Sequence, residues 1–337
     1  MQVAGHFNNT LGFCIVTYNR SEYLKIFLIS LVNQAKKFNL PIYISDNNST
    51  DSTVSVVREF QLHYDHIFLN VNSQNEGFYR NLIKAMSMAD TEYIWIMDDD
   101  DVVKDGAIEL ILDNLKRSPD FLVLNSSDCN SDMEVKNDKI ISCEEDKYYQ
   151  KGQHSKLLLD MKNNGYFGIM ISMVMKRSIV GNILTEMGQP NYKYFGNIYL
   201  PTIMFYRSIV NREGFFLCHP MVLRRPNMRT EEYAKFEREE SALKWFTGDR
   251  YIALSALVEY GYEKNVVKHI LKSSLINHIF NALIIKYAQK EKMVIIGELR
   301  NYSLMPLSEK IVYAIFDIAP TFLVINLRRV LQVARKM

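Results

Sequence analysis

The stretch FCIVTYNRSEYLKIFLISLVNQ, Phe13–Gln34, carries in succession the signals of a strand, a turn and a helix. Its first six residues are apolar or β-favouring, and such a short run is typical of a buried strand. Ser21 is a residue type that caps helices, so we predict a helix from this point. The apolar residues of that helix would share one side: Leu24, Phe27, Leu28, Leu31 and Val32.

This strand–helix unit repeats along the N-terminal third of the chain. Further strands are predicted at the apolar runs Pro41–Ser45, His66–Asn70, Tyr93–Met97 and Phe121–Asn125. Helical patterns lie between them, one of them from about residue 78 to residue 89. The alternation predicts an α/β fold with a mostly parallel sheet flanked by helices.

Polar side chains collect where the predicted strands end. Asn19 follows the first strand, Asp46 and Asn48 follow the second, and Asn75 follows the third. The fourth strand ends in four successive acids, Asp98–Asp101, which we call the acid cluster. Because sheets of this class bind ligands outside the carboxyl ends of their strands, we expect these side chains to line one site.

The acid cluster needs a counter-charge, since adjacent carboxylates repel one another when ionised. Water, a basic patch or a metal ion could supply it. Oxygen ligands suit Mg²⁺ or Mn²⁺, and these ions also bind phosphate oxygens. A solvated loop is the alternative, but the position directly after a buried strand favours a ligand site. The chain has no GxxxxGK[ST] loop and no GxGxxG turn, so metal and side chains would hold a nucleotide.

The composition is that of a folded globular protein without a strong overall charge. The 337 residues are 48% hydrophobic with a formal net charge of +2, so nothing indicates nucleic-acid binding. We expect neither a signal peptide nor a membrane-spanning helix. No cysteine spacing is typical of a zinc site or a disulfide framework, which favours a reducing, cytoplasmic location. The cysteines are Cys14, Cys129, Cys143 and Cys218.

Four blocks of the chain resemble the family-2 glycosyltransferases, which have the GT-A fold. The blocks IVTYNRSEYLKIFLISLVNQ, IYISDNNSTDST, NEGFYRNLIKAM and YIWIMDDDDVV occur in order over about residues 13–115. Within the family the chain is most similar to bacterial enzymes of surface polysaccharide and O-antigen synthesis, the abequosyltransferase-like group in particular. The resemblance implies an inverting transfer of a sugar from a nucleotide-diphosphate sugar to a glycan acceptor.

The resemblance also implies that side chains after the first three strands hold the nucleotide. The residues at the end of the first strand would contact the base, on which Tyr18 could stack. Those after the second strand would bind base or ribose, and those after the third strand would close over the nucleotide. Plainer roles stay open, with Tyr18 as a core aromatic, Asp46 as a turn residue and Arg80 as a solvated helix residue. The implied nucleotide-binding residues are Val16, Thr17, Tyr18, Asn19, Asp46, Asn48, Gly77 and Arg80.

In the acid cluster the resemblance covers the DxD signature of the family. It implies that Asp100 binds Mn²⁺ or Mg²⁺ directly, with Asp98 as the second metal ligand. Asp98 or Asp99 would also face the ribose. Asp101 is a candidate for a catalytic contact near the donor sugar.

The acceptor half departs from the family pattern. Thr202 occupies the place where an acid is expected as general base, and threonine is a poor base near neutral pH. Glu186 and His219 are the nearest alternatives, although each could be an ordinary surface or packing residue. Further on, Arg224 and Arg225 could clamp a diphosphate, with a solvated loop as the alternative.

We expect a GT-A domain over residues 1–230, with the nucleotide-sugar half at 11–125 and the acceptor half at 126–230. Residues 231–337 have a helical pattern whose apolar stripes could form a homo-oligomer. The segment Thr321–Met337 has a basic side and an apolar side, which favours a helix on an anionic membrane surface over one packed on its own domain. It implies a peripheral site on the inner face of the cell membrane and a polyprenyl-diphosphate-linked acceptor.

Two alternatives to a glycosyltransferase were weighed on the same residues. A non-catalytic GT-A-fold protein that binds nucleotide or glycan is favoured only by the missing acid at Thr202. A sugar-nucleotide pyrophosphorylase is disfavoured because its glycine-rich first turn is absent. The intact acid cluster favours the transferase.

Overall fold

The described part of the chain forms two compact units. The first contains the described residues up to 194 and those from 200 to 225; the second contains residues 197, 199 and 250–271. The predicted domain boundary at residue 230 therefore lies outside the described residues. The computed structural model describes residues 7–130, 133–162, 172–189, 192–194, 197, 199–225 and 250–271.

In the first unit, ten strands among the described residues form one sheet. They are β1 (Leu11–Thr17), β2 (Ile42–Asp46), β3 (Ile67–Val71), β4 (Tyr93–Met97), β5 (Val102–Val103), β6 (Phe121–Cys129), β7 (Val135–Asn137), β8 (Lys147–Tyr149), β9 (Met173–Lys176) and β10 (Gly214–Arg224).

The sheet combines a parallel N-terminal part with an antiparallel insertion. Strands β3, β2, β1 and β4 are parallel neighbours in that order. Strand β9 lies antiparallel between β4 and β6, and β10 runs parallel to β6 on its other side. Short strands complete it: β5 and β8 pair with β10, and β7 pairs with β6. The predicted α/β fold is confirmed, although β9 is not among the predicted strands.

The helices connect the strands as the alternation predicts. In the first unit they are α1 (Ser21–Ala35), α2 (Thr53–Gln61), α3 (Phe78–Met88), α4 (Ala107–Leu115), α5 (His154–Lys162), α6 (Arg177–Met187) and α7 (Leu200–Ser208). The second unit contains α8 (Arg250–Glu259).

The core lies between the parallel strands and their helices. Phe13 on β1 and Trp95 on β4 are fully buried, with their ring centroids 5.8 Å apart. The apolar side predicted for α1 is buried, Leu24 and Phe27 completely. Burial of such side chains supplies most of the stabilisation that fixes the strand ends.

The cap predicted at Ser21 is wrong. The N-cap position of α1 is Arg20, which makes no capping hydrogen bond with its side chain. Instead the backbone N–H of Ser21 donates to Asp51 Oδ2 at 3.1 Å, and that of Arg20 donates to Thr53 Oγ1 at 3.0 Å. The turn after β2 thus satisfies the helix terminus through long-range contacts, which local sequence does not reveal.

The expectation of no disulfide is also wrong. Cys143 and Cys218 form one across 75 residues of sequence, with their Cα atoms 5.8 Å apart. Asn125 on β6 explains the approach, because its side chain exchanges hydrogen bonds with the backbone of Ile141, at 2.8 and 3.0 Å. The segment before Cys143 is therefore bound beside β10. Cys14 and Cys129 are buried thiols.

No helix within the described ranges has the length and apolar character to cross a bilayer. The segment Thr321–Met337 and most of residues 231–337 lie outside the described residues. The predicted membrane-surface helix and homo-oligomer therefore stay predictions.

Candidate active site

The acid cluster fills the short connection between β4 and β5. In the register of β1 with β4, Ile15 pairs with Met97, so the end of β1 lies level with the acids that follow. Asp99 and Asp101 are buried, whereas Asp98 and Asp100 are half-buried. In the β1–β2 register Thr17 lies opposite Asp46. The carboxyl-terminal edge of β1, β2 and β4, which we call the donor edge, therefore gathers the predicted polar side chains.

Arg20 is the basic residue that contacts the acids directly. Its Nε lies 2.9 Å from Asp99 Oδ1, and its Nη2 donates a hydrogen bond to Asp100 Oδ2. The Arg20 side chain is only 17% exposed, so solvent screens this pairing weakly. Sequence analysis missed Arg20, although a basic residue directly after the first strand could have indicated a counter-charge.

Arg225 approaches the cluster from the end of β10. Its backbone N–H donates to Asp101 Oδ1 at 3.0 Å, its Nε donates to the carbonyl oxygen of Asp100, and its Nη2 donates to the Tyr23 carbonyl at 3.3 Å. The guanidinium carbons of Arg20 and Arg225 lie 5.0 and 5.3 Å from the Tyr23 ring centroid, within cation–π range. Tyr23 is thus a shared support for both cations that sequence analysis also missed.

The acids carry more negative charge than these cations neutralise. Burial and the neighbouring carboxylates raise the pKa of Asp98 well above its usual range. Burial raises the pKa of Asp99 to about 6 against the opposing effect of Arg20. Burial and the charge of Asp100 raise the pKa of Asp101 to about 7. The carboxylates are therefore held in an environment that favours protonation or an added cation.

Three buried polar atoms at the cluster make no well-aligned hydrogen bond among the described residues. They are Thr17 Oγ1, Arg20 Nε and Asp99 Oδ2, although the Thr17 hydroxyl is close enough to the Asp99 carboxyl to lower its pKa. An unpaired carboxylate oxygen away from water is costly, and a bound cation would satisfy it. No three His, Cys, Asp or Glu side chains in the described part are arranged to hold a metal ion. The arrangement fits a cation that takes only two carboxylates from the protein and its other ligands from phosphate oxygens.

Asp46 is engaged within the turn after β2. Its carboxylate accepts from the backbone N–H and the hydroxyl of Ser49, at 2.8 and 2.5 Å. Ser49 Oγ in turn accepts from the backbone N–H of Asn19 at 2.9 Å. Asn19 and Asn48 both have positive φ, 51° and 67°. Asp46 therefore shapes the turn, and a contact with base or ribose stays a prediction for its remaining lone pairs.

A buried network of amides supports the segment before α3. Asn72 donates to Asn47 at 3.1 Å and to Asn81 at 3.0 Å, and Lys84 Nζ donates to Asn72 Oδ1 at 2.8 Å. Asn47 Oδ1 also accepts from the backbone N–H of Glu76 at 2.9 Å. The network therefore holds the segment before α3, which is the start of the block NEGFYRNLIKAM predicted to close over the nucleotide. In the sequence, this network is indicated only by asparagines that lie within an otherwise apolar strand–helix unit.

The exposed members of that block lie beyond the network. Gly77 has φ +82°, a left-handed conformation that favours glycine, and its N–H donates to Asn75 Oδ1 at 2.9 Å. Arg80 is exposed on α3. At the end of β1, Val16 is buried and Tyr18 is half-buried. Base and nucleotide contacts of these four residues stay predictions.

The residues considered as general base lie in three different environments. Glu186 on α6 pairs with Arg207 Nη2 at 2.5 Å, and this hydrogen bond lowers the pKa of Glu186. His219 is exposed at an irregularity of β10, about 20 Å of extended strand from Arg225. Thr202 on α7 is 1% exposed. The structure therefore does not bring His219 to the acid cluster.

The two predicted phosphate-clamp residues differ in position. Arg225 meets the acid cluster, as described above. Arg224 Nη1 lies 3.6 Å from Asp128 Oδ1 on β6. Residues 226–229 of the same predicted block lie outside the described residues.

A mostly parallel sheet flanked by helices is the fold that this chain shares with GT-A glycosyltransferases. The family model described as "Glycosyl transferase family 2" matches residues 13–184, and the chain belongs to that family. It is therefore a glycosyltransferase.

Named relatives are similar to this chain over alignments of different length. Abequosyltransferase RfbV of Salmonella typhimurium is 27% identical over 268 residues, which is 76% of each chain. dTDP-rhamnosyl transferase RfbG of Shigella flexneri is 34% identical over 35% of this chain and 39% of its own. The GalNAc(5)-diNAcBac-PP-undecaprenol beta-1,3-glucosyltransferase of Campylobacter jejuni is 36% identical over 30% of this chain and 33% of its own.

Solved structures agree on the fold. TarS 1-349 of S. aureus in complex with UDP-GlcNAc superposes with a TM-score of 0.65 at 15% identity, over 89% of this chain and 82% of that one. The mannosyltransferase PcManGT of Pyrobaculum calidifontis, in complex with GDP-Man and Mn²⁺, superposes with a TM-score of 0.51 at 13% identity, over 92% of this chain and 79% of that one. At these identities the likeness concerns the fold alone.

Proposed function

We propose that this chain transfers a sugar from a nucleotide-diphosphate sugar to a lipid-linked glycan in the synthesis of a bacterial surface polysaccharide. The acid cluster is the observation that carries the proposal, because four successive acids, two of them paired with Arg20, lie at the donor edge. Membership of family 2 supports the donor class. The name of the Campylobacter jejuni relative contains an undecaprenol-linked glycan, which supports a lipid-linked acceptor, and the names of the abequosyl- and rhamnosyltransferase relatives support sugar transfer.

The proposed donor site uses Asp98 and Asp100 as ligands of Mn²⁺ or Mg²⁺. A divalent cation there would stabilise the negative charge that grows on the diphosphate as the bond from the sugar breaks. Thr17, Tyr18 and Asp46 would contact the nucleoside at the adjacent strand ends. Arg225 would bind diphosphate oxygens from the side of β10.

The acceptor hydroxyl needs a base at the moment of attack. Glu186 stays the proposed candidate and would have to leave its pair with Arg207, since Thr202 at the expected position is buried and has no basic form and His219 lies away from the acid cluster. A lipid-linked acceptor and the basic segment Thr321–Met337 together support a place on the inner membrane surface.

A thermal-shift screen of the purified full chain tests the donor site. UDP, GDP, CDP and dTDP are each added with Mn²⁺, with Mg²⁺ and with chelator. A ligand at a hundredfold excess over its dissociation constant stabilises the native state by about 2.7 kcal/mol. We expect one nucleotide to raise the melting temperature with metal and not with chelator. No shift with any pair would contradict the proposed donor site.

A further inference from the structure

We propose that Arg20 is an exchangeable counter-cation of the donor site, a role that rests on the proposed function. In the free protein its guanidinium neutralises Asp99 and Asp100. When a divalent cation takes the Asp100 carboxylate, the guanidinium turns to the diphosphate of the donor. Arg20 thus competes with the metal in the absence of nucleotide and assists it in the presence of nucleotide.

The contacts of Arg20 are those of a counter-ion rather than of a fully satisfied structural pair. Its Nη2 donates to Asp100 Oδ2, the carboxylate proposed as a metal ligand. Its Nε lies 2.9 Å from Asp99 Oδ1 but makes no aligned hydrogen bond, so the ion pair leaves part of the guanidinium without hydrogen bonds. The pairing therefore cancels charge while leaving buried polar atoms unsatisfied, a condition that a second arrangement could relieve.

The backbone around Arg20 is fixed, so exchange requires only the side chain to move. The N–H of Arg20 is held by Thr53 Oγ1, and the N–H of Ser21 is held by Asp51. The Tyr23 ring lies 5.0 Å from the guanidinium carbon. An arginine side chain has enough rotatable bonds to leave the carboxylates while it keeps an aromatic surface beneath it.

The charges favour such an exchange. Arg20 forms ion pairs with two of the four acids, Asp99 and Asp100, and a divalent cation would bring two further positive charges to the cluster. The diphosphate then brings new negative charge to the same edge. A guanidinium displaced from a carboxylate by the metal finds in the phosphate oxygens another acceptor that suits its planar fork.

A purely structural role makes a different prediction. If Arg20 only holds the loop together, its removal weakens metal and nucleotide binding alike, or changes neither. An exchangeable counter-cation instead gives effects of opposite sign, because the same group competes with one ligand and binds the other.

Calorimetric titration of Arg20→Gln against the wild type separates the two roles. The first titrant is Mn²⁺ alone, and the second is UDP, GDP, CDP or dTDP with saturating Mn²⁺. We expect Arg20→Gln to bind Mn²⁺ alone roughly three- to tenfold more tightly. We expect it to bind the nucleoside diphosphate that the wild type accepts roughly tenfold or more weakly.

Two further variants act as controls. Arg177→Gln removes an exposed arginine whose nearest acid, Asp90, is 4.0 Å away, and both affinities should stay at the wild-type values. Arg20→Lys keeps the charge and loses the fork, so its Mn²⁺ affinity should match the wild type while its nucleotide affinity falls part of the way. Circular dichroism checks that each variant is folded, and Arg20→Lys carries the test if Arg20→Gln is not.

For Arg20→Gln, changes of the same sign or an unchanged Mn²⁺ affinity would overturn the role of Arg20 and leave the donor site standing. For Arg20→Lys, a Mn²⁺ affinity that falls together with the nucleotide affinity, or an unchanged nucleotide affinity, would do the same. A wild type that binds none of the four nucleoside diphosphates would overturn the donor site and the role of Arg20 together.

Discussion

The donor edge and the acceptor half of the first unit are built in different ways. At the donor edge, β1, β2 and β4 are parallel neighbours, and their polar side chains come from turns directly after each strand. In the acceptor half, the segment around Cys143 is held to β10 by a disulfide and by Asn125 of β6. The first region follows from local order along the chain, whereas the second depends on contacts between distant segments.

The two regions therefore differ in function: the donor edge concentrates charge, and the acceptor half contains contacts that stabilise the fold. The donor edge contains three acids whose pKa values are raised, Asp98, Asp99 and Asp101, so their ionised forms are destabilised in the free protein and the edge is suited to a ligand. The acceptor half contains the covalent link and a long pairing of β10 with β6. We therefore expect substitutions at the donor edge to affect binding most and those in the acceptor half to affect folding most.

The largest effect is expected for Asp100→Asn. Loss of a charged metal ligand should slow release of nucleoside diphosphate from UDP-, GDP-, CDP- or dTDP-sugars by about 100-fold or more. Chromatography of the released nucleotide measures the rate. Asp113→Asn is the matched control, because Asp113 is exposed on α4 and pairs with Lys116 at 2.9 Å, so its rate should be unchanged. Equal rates in Asp100→Asn and the wild type would remove the acid cluster from catalysis.

The next effect concerns the disulfide. The double substitution of Cys143 and Cys218 by serine should lower the free energy of unfolding by about 2–4 kcal/mol, because it frees a loop of the unfolded chain. Urea denaturation followed by circular dichroism measures it. Reductant should lower the stability of the wild type to a similar degree and leave the double variant unchanged. A wild type insensitive to reductant would show that the link adds nothing to stability.

A smaller effect is expected on changing the pH of the metal-free protein. The pKa of Asp99 is about 6 and that of Asp101 about 7 in the fold, and both exceed the value of an unfolded aspartate near 3.8. The folded state therefore binds more protons than the unfolded state between about pH 4 and 7, and stability falls as the pH rises through that range. We expect the free energy of unfolding to fall steadily over this pH range, measured by urea denaturation in chelator.

Asp101→Asn supplies the control for this pH dependence. The variant lacks one of the titrating groups, so its stability should fall less steeply between pH 4 and 7. A slope as steep as that of the wild type would place the titration elsewhere in the molecule.

The smallest effect is expected for the amide network beneath the donor edge. Asn72→Ala should lower the free energy of unfolding by about 1–2 kcal/mol, because it removes one hydrogen bond each from Asn47 and Asn81 and the acceptor of Lys84 Nζ. Asn33→Ala, at an exposed position on α1, should change it by less than about 0.5 kcal/mol. Equal effects of the two substitutions would mean that the network is not needed for folding.

Sequence patterns predicted the donor edge well and the acceptor half poorly, for a physical reason. The periodicity of apolar residues and the turn residues predict β4 at Tyr93–Met97 and α3 to within one residue of its observed end. Both elements follow from local hydrophobic patterning. The acid cluster is visible because its members are adjacent in sequence. The insertion of β9 between β4 and β6 has no local signal, because strand pairing depends on the whole sheet.

Other parts of the site were invisible for similar reasons. The partner of the Ser21 N–H is Asp51, thirty residues away, and the partner of Cys143 is seventy-five residues away. Arg20 lies in the block IVTYNRSEYLKIFLISLVNQ, but its pairing with Asp99 and Asp100 depends on the register of β1 with β4. Long-range approach, rather than residue type, separates what sequence predicts from what it does not.

The most direct measurement is the uptake of Mn²⁺, followed by the electron paramagnetic resonance signal of the free ion. It is made on the wild type and on the Asp98→Asn, Asp100→Asn double variant, with each of UDP, GDP, CDP and dTDP. We predict that one nucleotide makes the wild type deplete the free Mn²⁺ signal and that the double variant leaves the signal unchanged. Equal depletion by both proteins would contradict the claim that the acid cluster holds the metal and, through it, the donor.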